Sequence, residues 1–475
     1  MTGYGYITKA QFRSALAARL QDPSMVLWLS AELDLYLTEA LRTFGLLCGY
    51  WKQRATLNTS AAASFYDLTV ECPAAFGQTV LDQDLVTQIE YHLLETPSPT
   101  AWAGTEMFTL DDITQAIQRR RNQFLLETGC VLTHSSVSSL PPPVSRFPLA
   151  DNVIDVRRLA WIDSGGSYNS VGVGYGIRFG LPKNGLTGTA ATDLQKIVVN
   201  NLWREDEEIA NAFMIRWNLT PGSPLCFSVA LTPPLQVQLF PALLDVGNLD
   251  MVSLNTGADL DPTSGVLLGI PDDLSWVVKW GALADLLNKD GPGRDVIRAA
   301  YCEERWNFGL DLANLLPSVL QAYINDVGVR IDALADLDAF CPNWQNEQGE
   351  PQFMGMSGLN LLALAPRADA TPWSVTMDVV CKAPIPATDG DFIQVGREEL
   401  DVILGYAEHL ALWKKGAFDI KSSLGGWQSL VEMAALKNDR LTASTTLLNR
   451  MLGKAGSESR SRPRVQEHEE EEAVG

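Results

Sequence analysis

The chain has 475 residues, of which 46% are hydrophobic and 20% charged, and its formal net charge is −21. This length predicts two to four domains, and the composition excludes a disordered chain because it offers ample apolar surface for burial. The negative charge argues against a protein that holds nucleic acid by its phosphates, although a channel wall past which DNA slides would also be acidic.

Signals for targeting, membrane insertion and metal binding are missing from the sequence. The first residues lack a basic segment followed by an apolar one, and no run of about 18 apolar residues occurs. The seven cysteines and four histidines are dispersed and lack the spacing of a zinc site. We therefore expect a protein made in the cytoplasm, with free thiols, no metal, no cofactor and no membrane contact.

Residues 1–128 are predicted to form a helical module with short strands. A first helix over 8–20 ends before Asp22-Pro23, because proline disfavours helix at the preceding residue. A second helix follows with Ser30 as its N-cap, and a further helix begins at Thr109. Short alternating runs between these helices predict strands.

The second helix is apolar on more than one side. One stripe with helical spacing consists of Leu33, Leu37, Ala40, Leu41, Phe44, Cys48 and Trp51. Leu35 and Leu46 lie off that stripe, so the apolar arc is wider than one packing partner requires. Either a second layer of the same chain or a neighbouring copy of the molecule is expected to cover the remainder.

Residues 129–267 are predicted to form a β-rich domain, either a β-sandwich or a small barrel. Short alternating runs are separated there by proline, glycine, serine and asparagine clusters. The glycine-rich stretch 164–176 lacks the strand-to-helix context of a phosphate-binding loop, and we interpret it as a mobile loop or hairpin tip.

The remaining third of the chain is predicted to be mainly helical. Residues 268–330 form a helical hairpin, whose second helix extends to Asn325 with a kink at Pro317. Residues 331–453 contain an irregular segment, a strand from Trp373, and final helices over 395–418 and 424–451. The overall expectation is an α+β fold.

The segment 454–475 has almost no apolar residues and is predicted to be a disordered tail. Arg460, Arg462 and Arg464 precede a run of glutamates in it. The tail is either solvated or docks on a partner through these arginines.

Catalytic signals are weak throughout the sequence. There is no GxSxG, HExxH or phosphate-loop motif, and the carboxylate run Glu205–Glu208 is typical of a solvated helix start. We therefore predict a protein that is not an enzyme and has no catalytic residues. Tryptophan is a favoured anchor at subunit contacts. The candidates for a subunit interface are Leu35, Leu46, Trp276, Trp280, Trp306 and Trp413.

The N-terminal pattern TKAQFRSALAARLQDPSMVLWLSAELDLYLTEALRTFGLLCGYW resembles head-tail connector proteins of tailed bacteriophages. In that family a short helix, a loop with Asp-Pro or Asp-Gly and a tryptophan, and a long Ala/Leu-rich helix form the portal-facing module. IPDDLSWVVKWGALADLL, RAAYCEERWNFGLDLA and GDFIQVGREELDVILGYAEHLALWKKG are also similar to blocks of large phage structural proteins. The similarity covers about half of the chain and omits most of the β-rich region.

The resemblance implies a virion structural protein, assembled in the host cytoplasm, that forms a ring of twelve copies below the portal. Such a ring joins the portal protein to tail or tail-tube proteins and lines the channel through which DNA passes without tight binding. Leu35 and Leu46 would then lie against a neighbouring subunit. The alternative is a tail or baseplate protein whose β domain recognises a host-surface glycan, and a virion hydrolase is a more distant possibility.

Overall fold

The structure is a computed structural model. Its described residues are 6–61, 63–94, 107–140, 146–173, 221–222, 224, 226–230, 236–240, 242–243, 247–313, 315 and 317–454. The predicted docking residues Arg460, Arg462 and Arg464 lie outside these ranges, as does the carboxylate run Glu205–Glu208.

The described residues form a mixed α and β structure with helices at the C-terminal end, in agreement with the predicted class. The helices are α1 (Lys9–Arg19), α2 (Ser30–Cys48), α3 (Leu68–Glu71), α4 (Pro73–Phe76), α5 (Asp82–Leu93), α6 (Leu110–Thr128), α7 (Ser275–Asn288), α8 (Val296–Leu312), α9 (Leu334–Phe340), α10 (Arg397–Trp413), α11 (Ala417–Ala435), α12 (Asp439–Ala443) and α13 (Thr445–Met451). The strands are β1 (Lys52–Asn58), β2 (Phe65–Asp67), β3 (Thr133–Leu140), β4 (Arg146–Pro148), β5 (Val153–Ile162), β6 (Tyr168–Val173), β7 (Pro221–Gly222), β8 (Cys226–Ala230), β9 (Gln236–Phe240), β10 (Ala242–Leu243), β11 (Gly247–Asn255), β12 (Val319–Ile324), β13 (Val327–Ala333), β14 (Gln348–Gly349), β15 (Phe353–Ser357), β16 (Leu361–Ala365), β17 (Arg367–Ala368) and β18 (Ser374–Val380).

Helix α2 is the central helix of a body built from both ends of the chain. It packs against α1, α5, α10 and α11, and against the short 3₁₀ turn that precedes α7. Buried residues of these helices and of α6 to α8 form one contiguous hydrophobic cluster. The predicted N-terminal module, helical hairpin and C-terminal helices therefore share one core and do not have separate cores.

Local capping explains where several helices begin. Thr8 precedes α1 and Thr109 precedes α6, and each forms a capping box in which its side chain accepts a hydrogen bond from a backbone N–H of the first turn. Both starts agree with the sequence prediction. Leu29 is the N-cap of α2 and Ser30 is its first helical residue, so the helix begins one residue earlier than the predicted N-cap at Ser30 implies. Helix α2 ends at Cys48 and is capped by Gly49, whose φ of 57° lies in the left-handed region that glycine adopts without strain.

The first sheet joins distant parts of the sequence in the order β1-β18-β12-β13-β15-β16-β2. Strand β1 pairs with β18 so that Ala55 is opposite Met377, and only β13 and β15 run parallel among these described pairs. A separate hydrophobic cluster lies on this sheet and includes Leu57, Val375 and Met377. The short strands of the N-terminal segment are therefore the edges of a sheet whose middle comes from residues 319–380.

Two predictions for this region are wrong. The second helix of the hairpin ends at Leu312, not at Asn325, because Pro317 interrupts helical hydrogen bonding and the following VLQAYI is a strand that pairs with β18. The segment predicted as irregular contains α9 and strands β13 to β17. The strand predicted from Trp373 is confirmed as β18, which begins one residue later.

The second sheet lies in the predicted β-rich region and has the order β3-β11-β5-β6-β8-β9-β4. The described strands of this region form this seven-stranded sheet and the two-stranded pair of β7 and β10, and the structure includes a sheet that is curled like half of a barrel. The turn over residues 163–167 joins β5 to β6 and has Gly166 at a φ of 82°. This part of the glycine-rich stretch is the tip of a hairpin, as predicted.

A buried polar cluster connects the second sheet to the rest of the chain. Arg158 of β5 donates to both carboxylate oxygens of Asp338, at 2.8 and 3.0 Å. Gln345 donates to Asp250 of β11 at 3.1 Å and accepts from Arg158 at 2.6 Å. Because Arg158 of the second sheet is paired with Asp338 of α9, the cluster fixes the position of the second sheet against the rest of the chain.

The predicted last helix over 424–451 is interrupted. Helix α11 ends at Ala435, and the side chain of Asn438 accepts hydrogen bonds from the backbone N–H groups of Arg440 and Leu441. Asn438 also donates to the carbonyl of Leu47 at 2.7 Å. The asparagine therefore starts a new helix and holds it against the end of α2.

Candidate docking site

Four of the predicted interface residues lie in the core of the chain itself. Trp276, Trp280, Trp306 and Trp413 are each no more than 1% exposed. The rings of Trp280 and Trp413 meet edge to face with centroids 5.4 Å apart, between α7 and α10. A side chain without exposed surface cannot contact a neighbouring subunit, so the prediction of an interface role for these tryptophans is wrong.

Leu35 and Leu46 are half-buried in the folded chain. Other helices of the same chain cover most of the remaining apolar surface of α2. This agrees with the first of the two possibilities raised by the sequence, a second layer of the same chain. Leu46 packs against the main hydrophobic cluster, while Leu35 lies over a small polar cavity between α2 and α5. Both side chains keep some surface for a partner.

The loop between α1 and α2, residues 22–29, is called here the Asp22 loop. The two carboxylate oxygens of Asp22 accept hydrogen bonds from the backbone N–H groups of Val26, Leu27 and Trp28, at 3.1, 2.8 and 3.1 Å. These hydrogen bonds, of which the one from Val26 has the largest effect, lower the pKa of Asp22. The carboxylate is therefore ionised at neutral pH. One side chain thus fixes three successive backbone groups of the loop.

Trp28 anchors the Asp22 loop to α10. Its indole ring is buried, and its Nε1 donates to the carbonyl of Ala411 at 3.1 Å. The Nζ of Lys414 donates to the carbonyl of Leu27 at 3.0 Å, and the Nζ of Lys415 lies 4.6 Å from the centroid of the Trp28 ring. The loop is therefore held by its own Asp22 and by residues at and just after the end of α10.

A buried ion pair lies below the loop. Lys414 donates to both carboxylate oxygens of Glu32 at 2.8 Å, and Tyr36 donates to the same carboxylate. Burial raises the pKa of Glu32, whereas the bonds from Lys414 and Tyr36 oppose that change. This network ties the first turn of α2 to the end of α10 and makes the base of the loop rigid.

The Asp22 loop exposes three aliphatic side chains on this rigid backbone. Val26 is 78% exposed, Leu27 50% and Leu29 49%. A contiguous apolar group on an ordered loop is a feature of docking surfaces, because its exposure is costly unless a partner covers it. The sequence signal for these exposed residues is the run MVLWL shortly after Asp22-Pro23. It is apolar but has neither the spacing of a helix nor the alternation of a strand.

A second apolar feature lies at the other end of α2 and is called here the Leu46 cavity. It has a volume of about 90 Å³ and is formed where α2, α4, α8 and β18 meet. Its apolar walls include Leu46, Phe76, Leu312, Pro317 and Leu359. These residues are far apart in the sequence, so no local pattern predicts their convergence.

Two aspartates of contrasting chemistry line the Leu46 cavity. Asp272 accepts hydrogen bonds from the N–H and hydroxyl of Thr79, both at 2.7 Å, and from Lys382 at 3.1 Å. Burial raises the pKa of Asp272, but these bonds outweigh it and the net pKa is lowered. Asp273 accepts only the N–H of Ala383 among the described hydrogen bonds, and burial raises its pKa to about 7.

A deeply buried ionisable cluster consists of Glu39, Lys279 and His92. Lys279 pairs with Glu39 and lies 3.0 Å from Nε2 of His92, and burial lowers the pKa of both Lys279 and His92. The adjoining cavity has a volume of about 10 Å³. That space suits no more than about one water molecule, so this cluster has no room for an organic substrate.

A serine and a histidine also lie in contact, at the junction of α10 and α11. Arg305 donates to the hydroxyl of Tyr301 at 2.8 Å, and the Tyr301 hydroxyl lies 2.6 Å from Nε2 of His409. Nδ1 of His409 lies 2.8 Å from the hydroxyl of Ser423, which donates to the carbonyl of Asp419 at 2.7 Å.

The direction of the hydrogen bonds that link Tyr301, His409 and Ser423 decides what this arrangement can do. Because Ser423 gives its one proton to the carbonyl of Asp419, Nδ1 of His409 must donate to Ser423, and Nε2 of the neutral ring accepts from the Tyr301 hydroxyl. Burial lowers the pKa of His409 to about 3, in keeping with a neutral ring. A general base would need a free electron pair at the nitrogen facing Ser423. The arrangement therefore cross-links two helices and does not activate the serine.

Among the described residues, no group of three or more His, Cys, Asp or Glu side chains could hold a metal ion. Within the same ranges, none of the helices is both long and apolar enough to span a bilayer. Of the cysteines that the structure describes, Cys48, Cys72, Cys130, Cys302, Cys341 and Cys381 are free thiols.

Comparison with known proteins leaves the site to be interpreted from its own geometry. The chain matches no family of known proteins, and no curated protein matches it at a significant level.

Proposed function

We propose that this chain is a structural subunit of a tailed-phage virion, a head-tail connector that forms a ring and joins the portal to the tail. The observation that carries the proposal is the Asp22 loop, an ordered loop with three exposed aliphatic side chains. It occupies the place in the sequence where the resembling family has its portal-facing module.

The rigidity of the loop favours a docking function over a passive connection between helices. A loop that is ordered before it binds loses little conformational entropy on association, so more of the contact energy remains as affinity. Asp22 and Trp28 supply that order here, through the three backbone hydrogen bonds and the buried indole. The net charge of −21 also suits a ring whose channel DNA crosses without binding.

The proposal is tested by mixing the purified chain with the portal protein of the same phage and measuring particle masses by mass photometry. We expect complexes with many copies of the chain per portal ring, twelve if the symmetry matches the family. The double variant Val26→Asp/Leu27→Asp should fail to form them, whereas Val327→Asp, at a residue 67% exposed at the start of β13, should behave as wild type.

One result of this experiment would contradict the connector function. If the wild-type chain forms no complex with the portal at any ratio, the connector function is wrong. Binding of the chain to host-surface glycans in that case would favour the tail or baseplate alternative.

A further inference from the structure

The small cavity between α2 and α5 is called here the Leu35 cavity, after the half-buried leucine that lies over it. Leu35 is the one aliphatic residue among the eight that line the cavity, and the other seven carry polar groups. Empty cavities in proteins are typically apolar, whereas buried polar groups are typically bridged by ordered water. The composition of the walls therefore favours a polar occupant.

The charges around the Leu35 cavity are already balanced. Glu32 is paired with Lys414 at 2.8 Å, and Glu39 is paired with Lys279. Each buried carboxylate thus has one cation, and a charged occupant would add an uncompensated buried charge. The cavity volume of about 10 Å³ excludes a neutral organic molecule and is close to what one water requires. Polarity and charge select water, and the volume limits it to one molecule.

His92 supplies a buried donor beside this cavity. Its Nε2 accepts from Nζ of Lys279 at 3.0 Å, because the lysine that is paired with Glu39 can only donate. Burial lowers the pKa of His92 well below its usual value, so the ring is neutral and its proton lies on Nδ1. This Nδ1 is buried and has no hydrogen-bond partner within the described ranges. A buried N–H of this kind is costly unless a water molecule accepts its hydrogen bond.

Acceptors for the two protons of a water lie on the α2 side of the cavity. The Tyr36 hydroxyl donates to Glu32 and keeps an electron pair with which it can accept. Each carboxylate oxygen of Glu39 accepts one described hydrogen bond and can accept another. The rings of Tyr36 and His92 have centroids 5.6 Å apart, so donor and acceptors border the same small space. A water there can make about three hydrogen bonds, as buried waters typically do.

We propose that one water molecule is bound in the Leu35 cavity, where it accepts from His92 and donates to Tyr36 and Glu39. The bound water joins the ion pair below the Asp22 loop to the ion pair at the centre of the helical body. Helix α5, which supplies His92, is thereby held to α2 by polar contacts as well as by packing. The inference concerns the folded chain alone and is independent of the proposed connector function.

A crystal structure of the full chain, at a resolution that shows ordered water, tests the proposal directly. We expect one peak of electron density in the Leu35 cavity, with at least two polar contacts of about 2.7–3.2 Å to the lining side chains. A cavity without density in such a structure would overturn the proposal. This test needs no variant.

Magnetic relaxation dispersion of the deuterium signal of water counts long-lived internal waters in solution and allows matched variants to be compared. Leu35→Phe introduces a larger side chain that fills the cavity, and it should remove one long-lived water from the wild-type count. Leu436→Phe, the same substitution at a residue 82% exposed just after α11, should leave the count unchanged. Circular dichroism shows whether both variants are folded. An undiminished count in Leu35→Phe, with the ring seen inside the cavity in the crystal structure of the variant, would contradict the site.

Discussion

Glu39 of α2 and Lys279 of α7 form an ion pair that is almost completely removed from solvent, at the centre of the helical body. The second carboxylate oxygen of Glu39 accepts a hydrogen bond from the indole of Trp280 at 2.8 Å. Lys279 is also in contact with His92 of α5. The pair thus connects three helices that come from two distant segments of the sequence, and it sets the position of α7 against α2.

Removing one partner of this pair should be far more costly than replacing both. Lys279→Met leaves the carboxylate of Glu39 buried without a cation, which typically costs about 3–5 kcal/mol. In the double variant Glu39→Gln/Lys279→Met no charge is buried, and the amide oxygen still accepts from Trp280. We expect most of the lost stability to return in the double variant, as measured by the urea midpoint of the helical circular dichroism signal.

The control for this experiment is an exposed ion pair. Arg294→Met removes a pair with Asp290 on the surface before α8, and it should change the midpoint very little. Equal losses in Lys279→Met and in the double variant would show that packing volume, and not the unpaired charge, determines the effect.

Protonation of Asp273 should make the stability of the chain depend on pH. Its pKa is raised by burial from 3.8 to about 7 in the folded chain, so the folded state binds the proton more tightly than the unfolded state. This contribution to stability is complete below pH 3.8 and is lost as the pH rises through about 7. Asp273→Asn cannot ionise and still accepts from Ala383, so it should raise the melting temperature at pH 8 by about 2–4 °C, and this gain should shrink as the pH falls toward 3.8.

Asp272 supplies a matched control of opposite sign. Its net pKa is lowered because Thr79 and Lys382 stabilise the carboxylate, so Asp272→Asn should lower the melting temperature at pH 8. The measurement is thermal unfolding at low protein concentration across pH 5–8. A parallel response of the two variants would contradict the opposite directions in which the pKa values of Asp272 and Asp273 are shifted.

The two faces of α2 should respond differently to an introduced charge. Leu37 and Phe44 are no more than 1% exposed, so Leu37→Asp or Phe44→Asp should prevent soluble expression. Leu35 is half-buried, and Leu35→Asp should give a folded protein that assembles poorly. The yield of soluble protein and its circular dichroism spectrum distinguish the outcomes. Complete unfolding of Leu35→Asp would make Leu35 a core residue and remove it from the interface candidates.

Sequence reasoning succeeded where the structure is determined locally. Thr109 and Asp112 cap α6 with groups three residues apart, and the alternation after Trp373 is visible within one strand. It failed where long-range packing decides. Residues 319–324 are a strand because they pair with β18, more than fifty residues later in the chain. The interface tryptophans were misassigned for the same reason, since their burial depends on helices from both ends of the chain surrounding α2.

The candidate docking site was only partly predictable. Asp22-Pro23 and the apolar run after it are visible in the sequence, whereas the three backbone bonds to the Asp22 carboxylate depend on the loop conformation. The Leu46 cavity combines residues from six separate segments, and of these residues only Leu46 was a candidate. The residues that line a concave site of this kind are close in space but irregularly spaced in the sequence, so no periodic pattern predicts them.

Binding to duplex DNA should be weak at physiological salt. The net charge of −21 repels phosphate, and arginines that cluster on α6 are committed to the chain itself, since Arg119 and Arg120 both pair with Asp285. Fluorescence anisotropy with a labelled duplex should show no saturable binding at low micromolar concentrations. Tight binding that falls steeply with added salt would mean that a local basic surface outweighs the net charge.

The end of the chain should be dispensable for folding but informative for assembly. The last described contacts are those of Lys454, whose N–H donates to Asn449 at 2.8 Å and whose side chain pairs with Glu432, so truncation after Lys454 retains the α13 cap. The removed segment has almost no apolar residues to bury, and the melting temperature should therefore remain nearly unchanged. If Arg460, Arg462 and Arg464 dock on carboxylates of a neighbour, the truncated chain should assemble poorly with tail components. Restoring residues 455–465 alone should then recover assembly, whereas normal assembly of the truncated chain would reject docking and leave a solvated tail.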